Sequence, residues 1–221
     1  MTVATSTPAA APQGHPSTGG GALLIAVLGA ESTGKTWLAQ ALSERLAQTT
    51  GLRCTWVPEW LRQWCATQGR TPKREEQHLI AQTQQAHIAA AARSHDIVVA
   101  DTTALMTAVY SLQVFGDDSL RTAGLAQQAR VHLTLLTALD LPWVADGHQR
   151  DGPHVRRPVD ATLHQWLTQA QLPFVRVSGL GAARLDCAAR ACEAPLRTLR
   201  PRPCMQAGPL GDQFSEPEPG G

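Results

Sequence analysis

The chain is poor in lysine, in charge and in paired cysteines. Charged residues make up 17% of its 221 residues and the formal net charge is +1. That balance offers no basic stripe for a nucleic acid and no cationic face for a membrane surface. Five cysteines are present, Cys54, Cys65, Cys187, Cys192 and Cys204. They are odd in number and none forms a C-x-x-C pair, which argues against a disulfide framework or a zinc site and for reduced thiols in the cytoplasm. No apolar run is long enough to cross a bilayer. Ahead of the first apolar run lie residues rich in Ala, Thr, Pro, Ser and Gly, without the basic start of a secretory signal. Residues 1–21 and the Pro-rich stretch 194–221 read as disordered tails, since Pro195, Pro201, Pro203, Pro209, Pro217 and Pro219 oppose a helix or central strand. What remains, residues 22–193, fits one globular domain.

Lysine is the sharpest scarcity. Lys35 and Lys73 are the only two, and Lys35 falls inside Gly29-Ala30-Glu31-Ser32-Thr33-Gly34-Lys35-Thr36, a complete G-x-x-x-x-G-K-[ST] pattern. An uncharged run, Ala22 to Leu28, precedes it, and a segment with apolar residues at helical spacing follows, so the motif sits at a strand-to-helix turn. There the two glycines let successive N–H groups turn inward onto phosphate oxygens, and the helix start adds its positive end. Lys35 is expected to reach the β- and γ-phosphates of a nucleoside triphosphate and Thr36 to ligate Mg²⁺.

Apolar strand-like runs alternate with helical stretches along the rest of the domain. The strands are expected at Ala22–Leu28, Leu52–Val57, Asp96–Ala100, Val131–Thr137 and Leu172–Ser178. Helices are expected at Lys35–Gln48, Glu59–Thr67, Arg74–Arg93, Thr103–Phe115, Ser119–Ala129, Ala161–Gln169 and Ala182–Glu193. This alternation predicts an α/β fold of the P-loop nucleoside-triphosphate hydrolase type, a five-stranded parallel sheet with helices on both faces. The stretch 142–158, broken by prolines and glycines and rich in Arg and His, is the candidate lid.

Ligands of open parallel sheets bind beyond the carboxyl ends of the strands. The second strand leads into Glu59-Trp60-Leu61-Arg62, offering a carboxylate to accept a hydroxyl proton, a ring to hold a flat base and a guanidinium. The competing reading is an ordinary helix start with an acidic first turn, with Trp64 packed in the core. The third strand closes in Asp101, the shape of a Walker B element that holds Mg²⁺; the competing role is the N-cap of the next helix. Which of Glu59 and Asp101 is the base stays open. In the candidate lid, Arg150 with Arg156 or Arg157 is expected to contact the transferred phosphoryl group. The histidines have no metal-ligand spacing, the glutamines from Gln77 to Gln85 read as helix surface, and Arg184 reads as a surface residue of the last helix.

Taken together, Gly29 to Thr36, Glu59-x-x-Arg62, Asp101-Thr102 and the selective segment Pro142-Trp143-Val144-Ala145-Asp146-Gly147 resemble the nicotinamide riboside kinase domain of NadR-type proteins. The resemblance covers residues 22–193. It implies Mg²⁺- and ATP-dependent phosphorylation of the 5′-hydroxyl of nicotinamide riboside, with Trp143 and Asp146 joining Glu59, Trp60 and Arg62 on the acceptor side and possible assembly as a homo-oligomer. Other nucleosides, or a regulatory ATPase module that signals by lid closure, are the alternatives. No fused nucleotidyltransferase is expected, because only a short tail precedes the domain.

Overall fold

A computed structural model describes residues 21–144 and 153–199. Five parallel strands, β1 (Leu23–Leu28), β2 (Cys54–Val57), β3 (Ile97–Asp101), β4 (Leu133–Thr137) and β5 (Phe174–Val177), form one sheet in the order β2-β3-β1-β4-β5. The central strand β1 alternates its side chains between two separate cores. Leu23, Ile25 and Val27 pack with α1 (Lys35–Thr50) and α7 (Gly181–Thr198). Ala26 and Leu28 face α4 (Ala104–Phe115) and α6 (Arg156–Gln169), with α5 (Arg121–Gln128) alongside. The β3 residues Val98 and Ala100 meet Ile88 of α3 (Gln77–Ser94). A strand apolar on both sides is the pattern of a parallel sheet covered by helices. The expected fold class and five-stranded sheet are therefore present.

The remaining helix, α2 (Trp60–Gln68), leaves β2 through Glu59 and ends at Gly69 in the left-handed region. A 3₁₀ turn at Arg74–Glu76 then opens α3. Bidentate hydrogen bonds from Arg70 to Glu76, both 2.7 Å, close this corner, and the Lys73 N–H donates to Glu76 as well. In place of a ladder bond to a carbonyl, the Leu24 N–H donates to His132 Nδ1 at 3.0 Å, which gives that histidine its structural role.

Three expectations need correction. The helix expected from Ala161 begins five residues earlier, at Arg156, because Pro158 falls in the first turn, where a missing N–H costs no intrahelical bond. The last helix runs past Pro195 to Thr198, so the disordered tail does not start at 194. Leu196 and Leu199 pack against the core there, and that burial outweighs one lost hydrogen bond. The glutamines of α3 are not all surface: Gln77 and Gln84 are buried. Gln84 Oε1 accepts from the Trp60 N–H at 2.7 Å and so fixes the start of α2.

Candidate active site

The phosphate loop is a left-handed excursion held from behind. Gly29 has φ 149°, and a Cβ there would lie 2.0 Å from Thr137 Oγ1. Gly34, with φ 73°, precedes the first residue of α1. Only glycine fits the first position without displacing the neighbouring strand end. The Thr33 hydroxyl donates to Ala30 O at 2.8 Å, and Thr137 Oγ1 lies 3.0 Å from Leu28 O and 2.7 Å from Thr33 Oγ1. Thr137, at the carboxyl end of β4, thus ties both ends of the loop to the sheet. Lys35 Nζ donates to Ala30 O at 2.9 Å, so its ammonium lies across the loop.

Opposite the loop stands the end of β3. Thr36 Oγ1 donates to Asp101 Oδ2 at 2.6 Å, while Asp101 Oδ1 is buried without a hydrogen-bond partner. Burial pushes the Asp101 carboxyl above its ordinary value, opposed by the positive field of Lys35, the Thr36 hydrogen bond and the charge of Arg62. The helix-capping job goes elsewhere, to Thr103, whose hydroxyl accepts from the Leu105 N–H. Asp101 is therefore not the N-cap. An oxygen pair of carboxylate and hydroxyl, one oxygen still unpartnered, suits Mg²⁺, which takes few protein ligands and completes its shell with phosphates and water. No cluster of three or more His, Cys, Asp or Glu that would suit another metal occurs among the described residues.

Glu59 occupies the N-cap position of α2 without capping it, and Arg62 Nε lies 3.9 Å from its carboxylate. Since Arg62 also acts on Asp101, the second- and third-strand carboxylates share one electrostatic neighbourhood. The Trp60 ring is engaged edge-on by His87 of α3, 5.2 Å between centroids. Trp64 is not a core residue; it is half-buried under the Arg70 guanidinium, 4.9 Å from its ring centroid.

Of the candidate lid, residues 145–152, with Asp146 and Arg150, lie outside the described residues. Its flanks are described. Ser32 Oγ sits between Val144 O at 2.9 Å and Val144 N at 3.2 Å, which joins the phosphate loop to the segment bearing Trp143. Trp143 Nε1 is buried without a hydrogen-bond partner. Arg156 is mostly buried in the first turn of α6, and its Nη2 donates to Leu141 O at 2.8 Å. It anchors the start of α6 at the far edge of the candidate lid, and Arg157 beside it is exposed.

Sequence reasoning missed a second layer behind the loop. Arg184 is 1% exposed, against the expectation of a surface residue. Its guanidinium donates to Gly179 O at 2.8 Å and Thr33 O at 3.1 Å, and pairs with Asp140. Nothing local marks it: an arginine in a helix with exposed neighbours looks like solvent-facing charge, and its three acceptors are brought together only by the sheet. Cys192 is buried, its Sγ donates to Ala188 O, and burial pushes the thiol up to about 12, as suits an inert packing residue. None of the four described cysteines forms a disulfide.

A family model described as an AAA domain matches residues 24–184. Among solved structures, the chain resembles a NadR protein in complex with NR at 21% identity and a TM-score of 0.65, covering 78% of this chain and 51% of that one. A second, a NadR protein in complex with NAD and AMP-PNP, has 20% identity and a TM-score of 0.60, with 78% and 49% covered. The chain thus spans about half the length of these structures, and the likeness is one of fold. None of the curated proteins matches the chain in sequence.

Proposed function

The chain belongs to the AAA domain family, and on that premise we propose that it is an ATP-dependent small-molecule kinase whose acceptor is the 5′-hydroxyl of nicotinamide riboside. The observation that carries the reading is the Thr36–Asp101 contact beside a complete phosphate loop, with Glu59 and Arg62 in the same field. A pure nucleotide switch needs the first pair and has no use for the second.

In this reading the loop amides and Lys35 hold the triphosphate, while Thr36 and Asp101 hold Mg²⁺. Bound there, Mg²⁺ would supply neutralisation of the charge that builds on the transferred phosphoryl group. Asp101, its carboxylate engaged by Thr36, is kept for the metal, and Glu59, beside Arg62 at the start of α2, orients the acceptor hydroxyl and takes its proton. Arg62 and Trp60 line the acceptor side with Trp143 and Asp146, and Arg150 and Arg157 cover the phosphoryl group. Choice of nicotinamide riboside over other nucleosides follows the NadR-like fold and the Pro142–Gly147 segment. Among the described residues no helix is long and apolar enough to cross a membrane; a cytoplasmic location belongs to the same proposal.

The test is a panel of nucleosides incubated with Mg-ATP and the purified chain, read by product mass. The expected result is a phosphate adduct on nicotinamide riboside that Lys35→Ala abolishes. ATP hydrolysis at one rate with every nucleoside and with none would overturn it.

A further inference from the structure

Arg184 lies on the last helix, 149 residues beyond Lys35 in sequence, yet one of its hydrogen bonds ends on the phosphate loop itself. Its Nη1 donates to the carbonyl of Thr33, its Nε to the carbonyl of Gly179, and Nη2 pairs with Asp140 just past β4. Asp140 closes the network by accepting from the Gly179 N–H at 2.7 Å. Gly179 has φ 97°, so the turn after β5 that aims its carbonyl at the guanidinium is one that glycine adopts freely. Three chain segments that do not touch in sequence converge on a side chain that solvent barely reaches.

The geometry points to Arg184 as a positioning residue for the phosphate-binding amide of Gly34. No cis peptide bond occurs among the described residues, so the carbonyl of Thr33 and the N–H of Gly34 belong to one trans plane and point in opposite directions. Holding the carbonyl outward, toward α7, turns the N–H inward, toward the side where the loop receives a phosphate oxygen. The Thr33 side chain is fixed separately, by Ala30 O and Thr137. That leaves rotation of the Thr33–Gly34 plane to be governed by the carbonyl bond. A planar guanidinium can hold all three partners at once, whereas an ammonium of the same charge cannot match that fork. Asp140 in turn orients the guanidinium and balances a buried charge that would otherwise be costly.

This inference rests on the reading that the loop binds a nucleotide, and the experiment separates the two. Kd for Mg-ADP is measured for the wild type, Arg184→Met, Arg184→Lys and Asp140→Asn, with melting curves and the ³¹P shift of the bound β-phosphate from the same samples. The expected result is Mg-ADP binding by the wild type and a Kd raised about tenfold or more in Arg184→Met, the loss of one hydrogen bond to a charged group. Arg184→Lys regains only part of the affinity, and the β-phosphate shift moves in each variant that still melts cooperatively. A purely structural arginine would lower the melting temperature and leave both Kd and shift of the folded molecules unchanged; that result overturns the inference. Should Arg184→Met not fold, Asp140→Asn, which retains the arginine but removes the carboxylate that orients it, decides by the same two readouts. Absence of Mg-ADP binding in the wild type overturns the nucleotide reading itself.

Discussion

At Asp101 burial and the proposed metal-holding role pull in opposite directions. A carboxyl raised by burial keeps its proton to higher pH in the folded chain than in the unfolded one. Stability of the nucleotide-free protein therefore falls as pH rises from the ordinary aspartate range through the raised value. Asp101→Asn keeps an acceptor for the Thr36 hydroxyl and removes the buried charge. We expect it to melt higher than the wild type at neutral pH without nucleotide, and to lose about a hundredfold or more in Mg-ATP turnover. Differential scanning fluorimetry beside a phosphoryl-transfer assay checks both signs; a variant that melts lower would contradict the desolvation account. Gly29 makes a second residue-level prediction. A methyl there would sit 2.0 Å from Thr137 Oγ1 on a backbone that L-residues rarely adopt. Gly29→Ala is expected to cost about 2 kcal/mol or more and to abolish nucleotide binding, whereas Gly51→Ala, with open space around its Cβ and only a left-handed cap to strain, should spare binding.

Among elements, the start of α3 is the one most dependent on ionised carboxylates. Arg70, with the Lys73 N–H, holds Glu76 down to about 2 from its ordinary 4.5, and Arg74 with Ser119 holds Asp117 down to about 2. A depressed carboxyl contributes stability above its unfolded value and loses it as pH falls toward the folded one. Between pH 4.5 and about 2 these corners are expected to open before the sheet does. Amide exchange at Arg74–Glu76 should accelerate in that window and be fast already at neutral pH in Glu76→Gln, with exchange in β1 and β3 unchanged. Since α3 carries Gln84, which fixes the start of α2, loosening it also frees Glu59 from its place.

In the proposed reading, the whole molecule carries its donor and acceptor sides on different elements of one sheet. Thr36 follows β1, Asp101 closes β3 and Glu59 follows β2, and the order β2-β3-β1 makes these strands neighbours. A nucleotide that binds only the folded chain stabilises all of it together. Mg-ATP analogue at a hundred times its Kd is expected to add about 2.7 kcal/mol, a rise of roughly 5–10 °C in melting temperature for a chain of this size. Lys35→Ala should show no such rise; an equal rise would mean that the ligand binds elsewhere.

Much of this arrangement was legible before any coordinates. The phosphate loop is a local motif whose glycines and lysine have one physical use, and the alternation of uncharged runs with helical spacing is enough for a parallel sheet, so both follow from residues close in sequence. The strand ends, and with them the placing of Glu59 and Asp101 at one edge of the sheet, follow from the same pattern. Strand order, the burial of Gln84 and Arg156, the helix past Pro195 and above all the Arg184 network were decided only by the tertiary structure. Each depends on a partner far along the chain: Thr33 and Arg184 lie 151 residues apart. No local propensity records such a meeting, because a hydrogen bond between distant segments exists only once the sheet has brought them together.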